Sequence, residues 1–137
     1  MILYNALDIK VPNFKRRLVS NWIKEIAILY KKRVGDVAYI FCTDEKILAV
    51  NNEYLSHNYY TDVITFDYSE ADILSGDIFI SLDTVKSNAE KFNVPFIREL
   101  YRVMIHAILH LCGINDRTEE ERQIMIENEN KALEQIQ

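Results

Sequence analysis

Two histidines four residues apart, His106 and His110, lie in an apolar run that predicts an amphipathic helix. Four residues are just over one helical turn, so both imidazoles project from the same face of the helix. At this spacing one helix can present two nitrogens to a single metal ion. Gly113 follows, and glycine readily adopts the left-handed conformation of a helix C-cap. The sequence therefore predicts that the helix ends there and that the chain turns.

The residues after this turn predict a second helix and a third metal ligand. Thr118 and Glu121 have the spacing of a capping box, in which a hydroxyl and a carboxylate satisfy backbone donors at a helix start. Asp116 falls between the two helices, where the chain can double back towards the histidines. Three protein ligands with a fourth position left for water are typical of a catalytic zinc site. We therefore expect one zinc ion at His106, His110 and Asp116.

Chance is the alternative explanation of the histidine pair, because a histidine on an apolar helix is often a packed core residue. The chain has three histidines and three glycines, and two of the histidines and one glycine coincide in this stretch. An acidic residue then follows at short distance. These coincidences favour a metal site.

The residues around the pair restrict its chemistry. Zinc lowers the pKa of water to near 7 and stabilises a developing oxyanion or phosphorane. Helical zinc peptidases carry His-Glu-x-x-His with the Glu as general base, whereas Ala107 follows His106 here. Arg102 lies one turn before His106, where its guanidinium could hold a phosphate oxygen as a catalytic residue. A surface arginine paired with Glu99 or Glu53 would explain the same position.

Three further polar residues are candidates for the site. We interpret His57, in a polar segment, as a surface histidine rather than a fourth ligand. Asp62 and Asp77 flank predicted strands and need no function there. Either carboxylate could act as a base if the fold brings it near the metal.

Composition places the chain among single globular domains. Its 137 residues are 49% apolar and 27% charged, so we expect one domain over 1–137. The net charge of −5 argues against non-specific coating of nucleic acid, although basic residues crowd the first quarter. Those residues form either a basic face that meets phosphate or a solvated helix surface. With no long apolar run and no export signal, we expect a cytoplasmic protein without membrane contact, whose two cysteines are unpaired.

Periodicity predicts an α+β fold in which a small mixed β-sheet is covered by helices. The predicted strands are 2–4, 37–42, 62–68 and 76–81. The predicted helices are 13–32, 44–54, 82–92, one that starts at Pro95 and carries both histidines, and 119–133. A turn is expected at 33–35. The candidate metal-binding helix thus falls in the C-terminal third.

The histidine stretch resembles the metal motif of a known family. Residues 106–116 (His-Ala-Ile-Leu-His-Leu-Cys-Gly-Ile-Asn-Asp) are similar to the motif of the YbeY family of bacterial rRNA-maturation endoribonucleases. Residues 61–66 (Thr-Asp-Val-Ile-Thr-Phe) resemble its Thr-Asp-Val-Leu-Ser-Phe strand, and residues 75–81 resemble its Gly-Asp-Ile strand. The three pieces occur in the family's order, and together they are specific.

The resemblance implies a function and a set of partners. It implies a zincin-like fold, a zinc-like metal held by His106 and His110, and a cytosolic monomer. It also implies cleavage of single-stranded RNA and maturation of the 3′ end of small-subunit ribosomal RNA. The implied partners are ribosomal RNA and the small ribosomal subunit.

The chain departs from the family pattern at three positions. The family usually has a third His where this chain has Asp116, and a carboxylate is an acceptable zinc ligand. It usually has Gly in place of Ala107. It usually has an Arg after Tyr54, where this chain has Leu55, so one phosphate-handling cation is lost; Arg102 could replace it, which is our inference.

Two other functions remain open on sequence grounds. One is a metallopeptidase-like hydrolase built on a related histidine-pair helix. The other is a non-catalytic ribosome-assembly factor, in which the metal pins two helices together and Leu55 records lost activity.

Overall fold

The computed structural model describes residues 1–55 and 61–136, with the side chain of residue 55 left out. The elements in chain order are β1 (Ile2–Ala6), α1 (Arg16–Leu29), β2 (Arg33–Cys42), α2 (Asp44–Leu55), β3 (Val63–Asp67), β4 (Ile73–Ser81), α3 (Leu82–Phe92), α4 (Phe96–Leu111) and α5 (Glu119–Glu134). The predicted α+β class with a small mixed sheet is confirmed. Within the described ranges the sheet has four strands and is accompanied by five helices.

The sheet has the strand order β1-β2-β4-β3. β1, β2 and β4 run parallel, whereas β3 pairs antiparallel with β4 and forms one edge of the sheet. Side chains alternate between the two faces of a strand. In β2 this places Val37, Tyr39 and Phe41 on one buried face. That face supports the main core.

The main core lies between this face and helices α1, α4 and α5. The hydroxyl of Tyr39 donates to the backbone oxygen of Met104 at 2.9 Å, which fixes α4 on β2. The indole nitrogen of Trp22 donates to the oxygen of Ala132 at 2.8 Å, which ties α1 to α5. α5 in turn packs against α4.

The opposite face carries a smaller apolar cluster beneath α2. Ile47 of α2 packs there with Cys42 and Ile64, both of them buried. Cys42 and Cys112 are free thiols, as expected.

The first predicted helix begins later than expected. It starts at Arg16, because Lys15 is extended, with φ −81° and ψ 91°. The ring of Phe14 instead packs edge-on against Tyr4, with centroids 5.1 Å apart, and anchors the segment to the sheet. Tertiary packing therefore overrides the apolar spacing from residue 13.

The predicted turn at 33–35 was wrong. β2 begins at Arg33, which pairs with Ile73, and the register shifts between Val34 and Val37. This shift in register is a β-bulge around Gly35. The strand therefore continues through the residues for which the glycine had indicated a turn.

No helix in the described parts of the chain is long and apolar enough to cross a membrane.

Candidate metal centre

The two histidines lie on α4, and the helix ends as predicted. The backbone of Gly113 has φ +100°, a conformation that L side chains rarely adopt. Its N–H donates to the oxygen of His110 at 3.0 Å, and that of Ile114 donates to Leu109 at 3.1 Å. The chain therefore turns immediately after α4.

The predicted capping box opens α5. The hydroxyl of Thr118 accepts from the Glu121 N–H at 3.1 Å, and the Glu121 carboxylate accepts from the Thr118 N–H at 3.0 Å. The turn that contains Asp116 is thus fixed at both ends.

The structure brings the three predicted ligands to one cleft. The rings of His106 and His110 are nearly parallel, at 10°, with centroids 6.1 Å apart. The cleft has a volume of about 260 Å³ and lies between α4 and the edge strand β3. It is lined by His106, His110 and Asp116, with Thr61, Asp62, Val63 and Thr65 on the other side.

Hydrogen bonds orient both imidazoles in the same way. Nδ1 of His106 lies 2.6 Å from Oε2 of Glu129, and Nδ1 of His110 lies 3.2 Å from the backbone oxygen of Ile114. An ionised carboxylate and a carbonyl can only accept, so each Nδ1 donates, and in the neutral imidazole each Nε2 then keeps a free lone pair. Histidines that bind metals are characteristically held in this way.

The distances test how well these donors fit a metal. Nε2 of His106 lies 3.4 Å from Oδ2 of Asp116. Two ligand atoms each about 2.1 Å from a tetrahedral zinc are separated by about 3.4 Å. Across residues 1–55 and 61–136, no three His, Cys, Asp or Glu side chains already form a group set to hold an ion. His106 and Asp116 are therefore spaced like two ligands of one zinc ion, whereas the three candidate ligands together do not form a ready-made site.

Arg102 is held by three carboxylates beside this cleft. Its guanidinium donates to Glu99 at 2.7 and 2.8 Å, to Glu129 at 3.2 Å and to Asp62 at 3.4 Å. The side chains of Glu99 and Glu129 are only 2% and 4% exposed. Burial opposes the charged guanidinium, but these carboxylates raise the pKa of Arg102 above its ordinary value. The expected pairing with Glu99 is present.

Negative charge is in excess around His106. Asp62, Glu99 and Glu129 pair with the guanidinium of Arg102, and Asp116 lies beside His106 itself. Burial alone lowers the pKa of His106, but the hydrogen bond that it donates to Glu129 and the nearby carboxylates raise it above its ordinary value. The site thus favours a cation.

The fold places the two remaining candidate carboxylates, Asp62 and Asp77, on opposite faces of the sheet. Asp62 lines the cleft. Asp77 pairs with Phe66, the neighbour of the cleft residue Thr65, and therefore points to the other face of the sheet. It accepts from the Tyr68 hydroxyl at 3.3 Å there. His57 lies outside the described residues.

Glu129 is the residue that sequence reasoning missed. It follows Met125 by four residues and precedes Leu133 by four, and both of these are buried. A charged residue at helical spacing between two core positions was the available signal.

Together the fold and cleft define an α+β protein with a two-histidine, one-aspartate site beside a sheet edge. A sequence model of the family described as Endoribonuclease YbeY matches residues 4–137. The chain therefore belongs to the YbeY family.

Relatives and a solved structure agree with this assignment. Proteins named Endoribonuclease YbeY from Phocaeicola vulgatus and Bacteroides fragilis are 62% and 60% identical, over 97% and 96% of this chain and 96% and 95% of their own. The corresponding Porphyromonas gingivalis W83 protein is 48% identical over 96% of this chain and 87% of its own. A Thermotoga maritima protein solved in solution superposes with a TM-score of 0.70 at 28% identity, covering 99% of this chain and 89% of that one.

Proposed function

We propose that this protein is a zinc-dependent endoribonuclease that cleaves single-stranded RNA. Its relatives carry the name endoribonuclease. The observation that carries the proposal is the shared orientation of His106 and His110. With each Nδ1 engaged by an acceptor, each Nε2 remains available beside Asp116 in one cleft.

The proposed zinc ligands are His106, His110 and Asp116. A zinc ion bound there supplies Lewis acidity towards water and phosphate oxygens. Asp62 is the lining carboxylate that is not assigned to the metal, and it is our candidate for the group that accepts a proton. Its ion pair with Arg102 holds it at the cleft.

Arg102 stays a candidate catalytic residue, but its contacts favour an indirect role. Its nitrogens already donate to three carboxylates, so few donors remain for a phosphate oxygen. We propose that it neutralises these carboxylates and orients Asp62.

An unpaired strand suits this cleft better than a duplex. The side chain of His106 is 19% exposed, so a scissile phosphate has to enter the cleft to reach it. A single strand can splay its backbone and bases to do so, whereas paired strands hold their phosphates along a regular helix.

The resemblance to the YbeY family indicates a particular RNA substrate and a cellular location. We propose that the substrate is the 3′ end of small-subunit ribosomal RNA, met on the small ribosomal subunit, and that the protein acts as a cytoplasmic monomer.

The test is cleavage of a single-stranded fragment from that 3′ end by zinc-loaded protein. The control is His110→Ala, made and purified identically. Cleavage by the wild type alone supports a metal nuclease, and it shows that Leu55 does not abolish the chemistry. Equal cleavage by both proteins indicates a contaminating nuclease and leaves the function open.

The same preparation tests the other two functions. Cleavage of an unfolded protein without cleavage of RNA would identify a metallopeptidase. Binding of zinc-loaded protein to small ribosomal subunits, with no turnover of free or subunit-bound RNA, would identify an assembly factor.

A further inference from the structure

Glu129 is a buried carboxylate on a helix whose other glutamates are mostly exposed. Its side chain is 4% exposed, and Met125 and Leu133 are buried one turn before and one turn after it. Burying a carboxylate is costly unless both oxygens find donors. The partners of the two oxygens therefore show what the residue does.

The two oxygens of Glu129 have different partners on α4. Oε1 accepts from Nη1 of Arg102 at 3.2 Å, and Oε2 accepts from Nδ1 of His106 at 2.6 Å. Arg102 is itself fixed by Glu99, which is also buried. Two residues that do not line the cleft, Arg102 and Glu99, thus help to fix the position of the Glu129 carboxylate.

We propose that Glu129 is a positioning residue that holds His106 in its Nδ1–H tautomer, so that the Nε2 lone pair faces the cleft. The inference rests on the metal site of the proposed function. A carboxylate has no donor, so the imidazole proton has to lie on Nδ1. Arg102 holds the carboxylate in place for this purpose.

An amide in place of the Glu129 carboxylate should reverse the tautomer of His106. Arginine has only donors, so the single oxygen of a glutamine at 129 has to face Arg102. Its NH₂ group then points at Nδ1 of His106, which becomes an acceptor. The ring proton moves to Nε2, the nitrogen needed by the metal.

The experiment compares the wild type with Glu129→Gln in metal-free, ¹⁵N-labelled protein. Long-range ¹H–¹⁵N spectra report the imidazole tautomers, and they are recorded at about pH 9, where neutral histidine is populated. The matched control is Glu127→Gln, which removes the same charge from an exposed position of α5. His110 is an internal control, because its Nδ1 is held by Ile114 rather than by Glu129.

We expect His106 to be Nδ1–H in the wild type and in Glu127→Gln, and Nε2–H in Glu129→Gln, with His110 unchanged in all three. Zinc affinity, measured by competition with a chelator, should fall roughly 10- to 100-fold in Glu129→Gln alone. If Glu129 had only a structural role, its replacement by Gln would leave the tautomer of His106 unchanged.

Two results would overturn the inference. One is a wild-type His106 in the Nε2–H form, which needs no variant and so does not depend on the folding of Glu129→Gln. The other is a Glu129→Gln protein that keeps both the Nδ1–H tautomer and wild-type zinc affinity. The test uses no RNA, so a wild type that fails to cleave RNA contradicts the proposed function and leaves the tautomer result standing.

Discussion

Oδ2 of Asp116 lies 3.4 Å from Nε2 of His106, although α4 ends at Leu111 between them. The chain reverses at Gly113, and the capped start of α5 fixes the end of the turn. Asp116 therefore lies close to His106 on α4. The third candidate ligand is thus supplied by a turn, whereas the first two are supplied by helical spacing.

Replacing Asp116 by Ala should remove zinc and activity together. The loss of zinc affinity should exceed the roughly 10- to 100-fold effect of removing a supporting residue, because a ligand itself is lost. Asp116→His should retain zinc, since imidazole also binds it. Zinc content and affinity are measured beside Glu120→Ala, an exposed control. Full zinc stoichiometry in Asp116→Ala would contradict the assignment of this ligand.

Replacing Arg102 by Met should destabilise the protein. Glu99 and Glu129 would keep their burial but lose their cation, and breaking a buried ion pair costs about 3 kcal/mol or more. Urea unfolding measures the change against Arg98→Met, at an exposed position of the same helix, where we expect under about 0.5 kcal/mol. Unchanged stability with a large loss of kcat would instead indicate direct contact with phosphate.

Replacing Gly76 by Ala should disturb the edge strand that lines the cleft. A Cβ at this position would collide with the backbone oxygen of Phe66 on β3, which pairs with β4 here. Such overpacking costs about 1 to 3 kcal/mol. Urea unfolding gives the cost, and amide hydrogen exchange of Thr65 reports whether β3 loosens. Wild-type values for both would contradict the close approach of the two strands.

The Cys42 thiol should make stability fall at high pH. Burial, followed by the charges of Asp44 and Asp83, raises its pKa to about 11. Below about pH 9 both the folded and unfolded states hold the proton, whereas between about 9 and 11 only the folded state does. Stability is therefore lost as the pH rises through this range.

Urea unfolding of the wild type and Cys42→Ala at about pH 8 and pH 10 measures this contribution. The wild type should lose about 1.4 kcal/mol more than the variant, which corresponds to one pKa unit. Equal losses in the two proteins would show that the thiol is not the group responsible.

The fold class and most of the site could be predicted because their signals are local. Alternation and helical spacing identified the strands and helices, and Gly113 with Thr118 marked where α4 ends and α5 begins. Local signals failed where distant contacts decided the conformation. Phe14 packs on the sheet before α1 starts, and β2 bulges around Gly35 instead of turning there.

By itself the sequence determined that His106 and His110 share one helix face and that Asp116 follows in a turn. Only the tertiary structure decided that Glu129 reaches His106 and that Arg102, besides its expected pairing with Glu99, is also held by Glu129 and Asp62. The physical reason is that periodicity fixes positions within one element. Which side chains meet between α4, α5 and β3 depends on how those elements pack against the sheet.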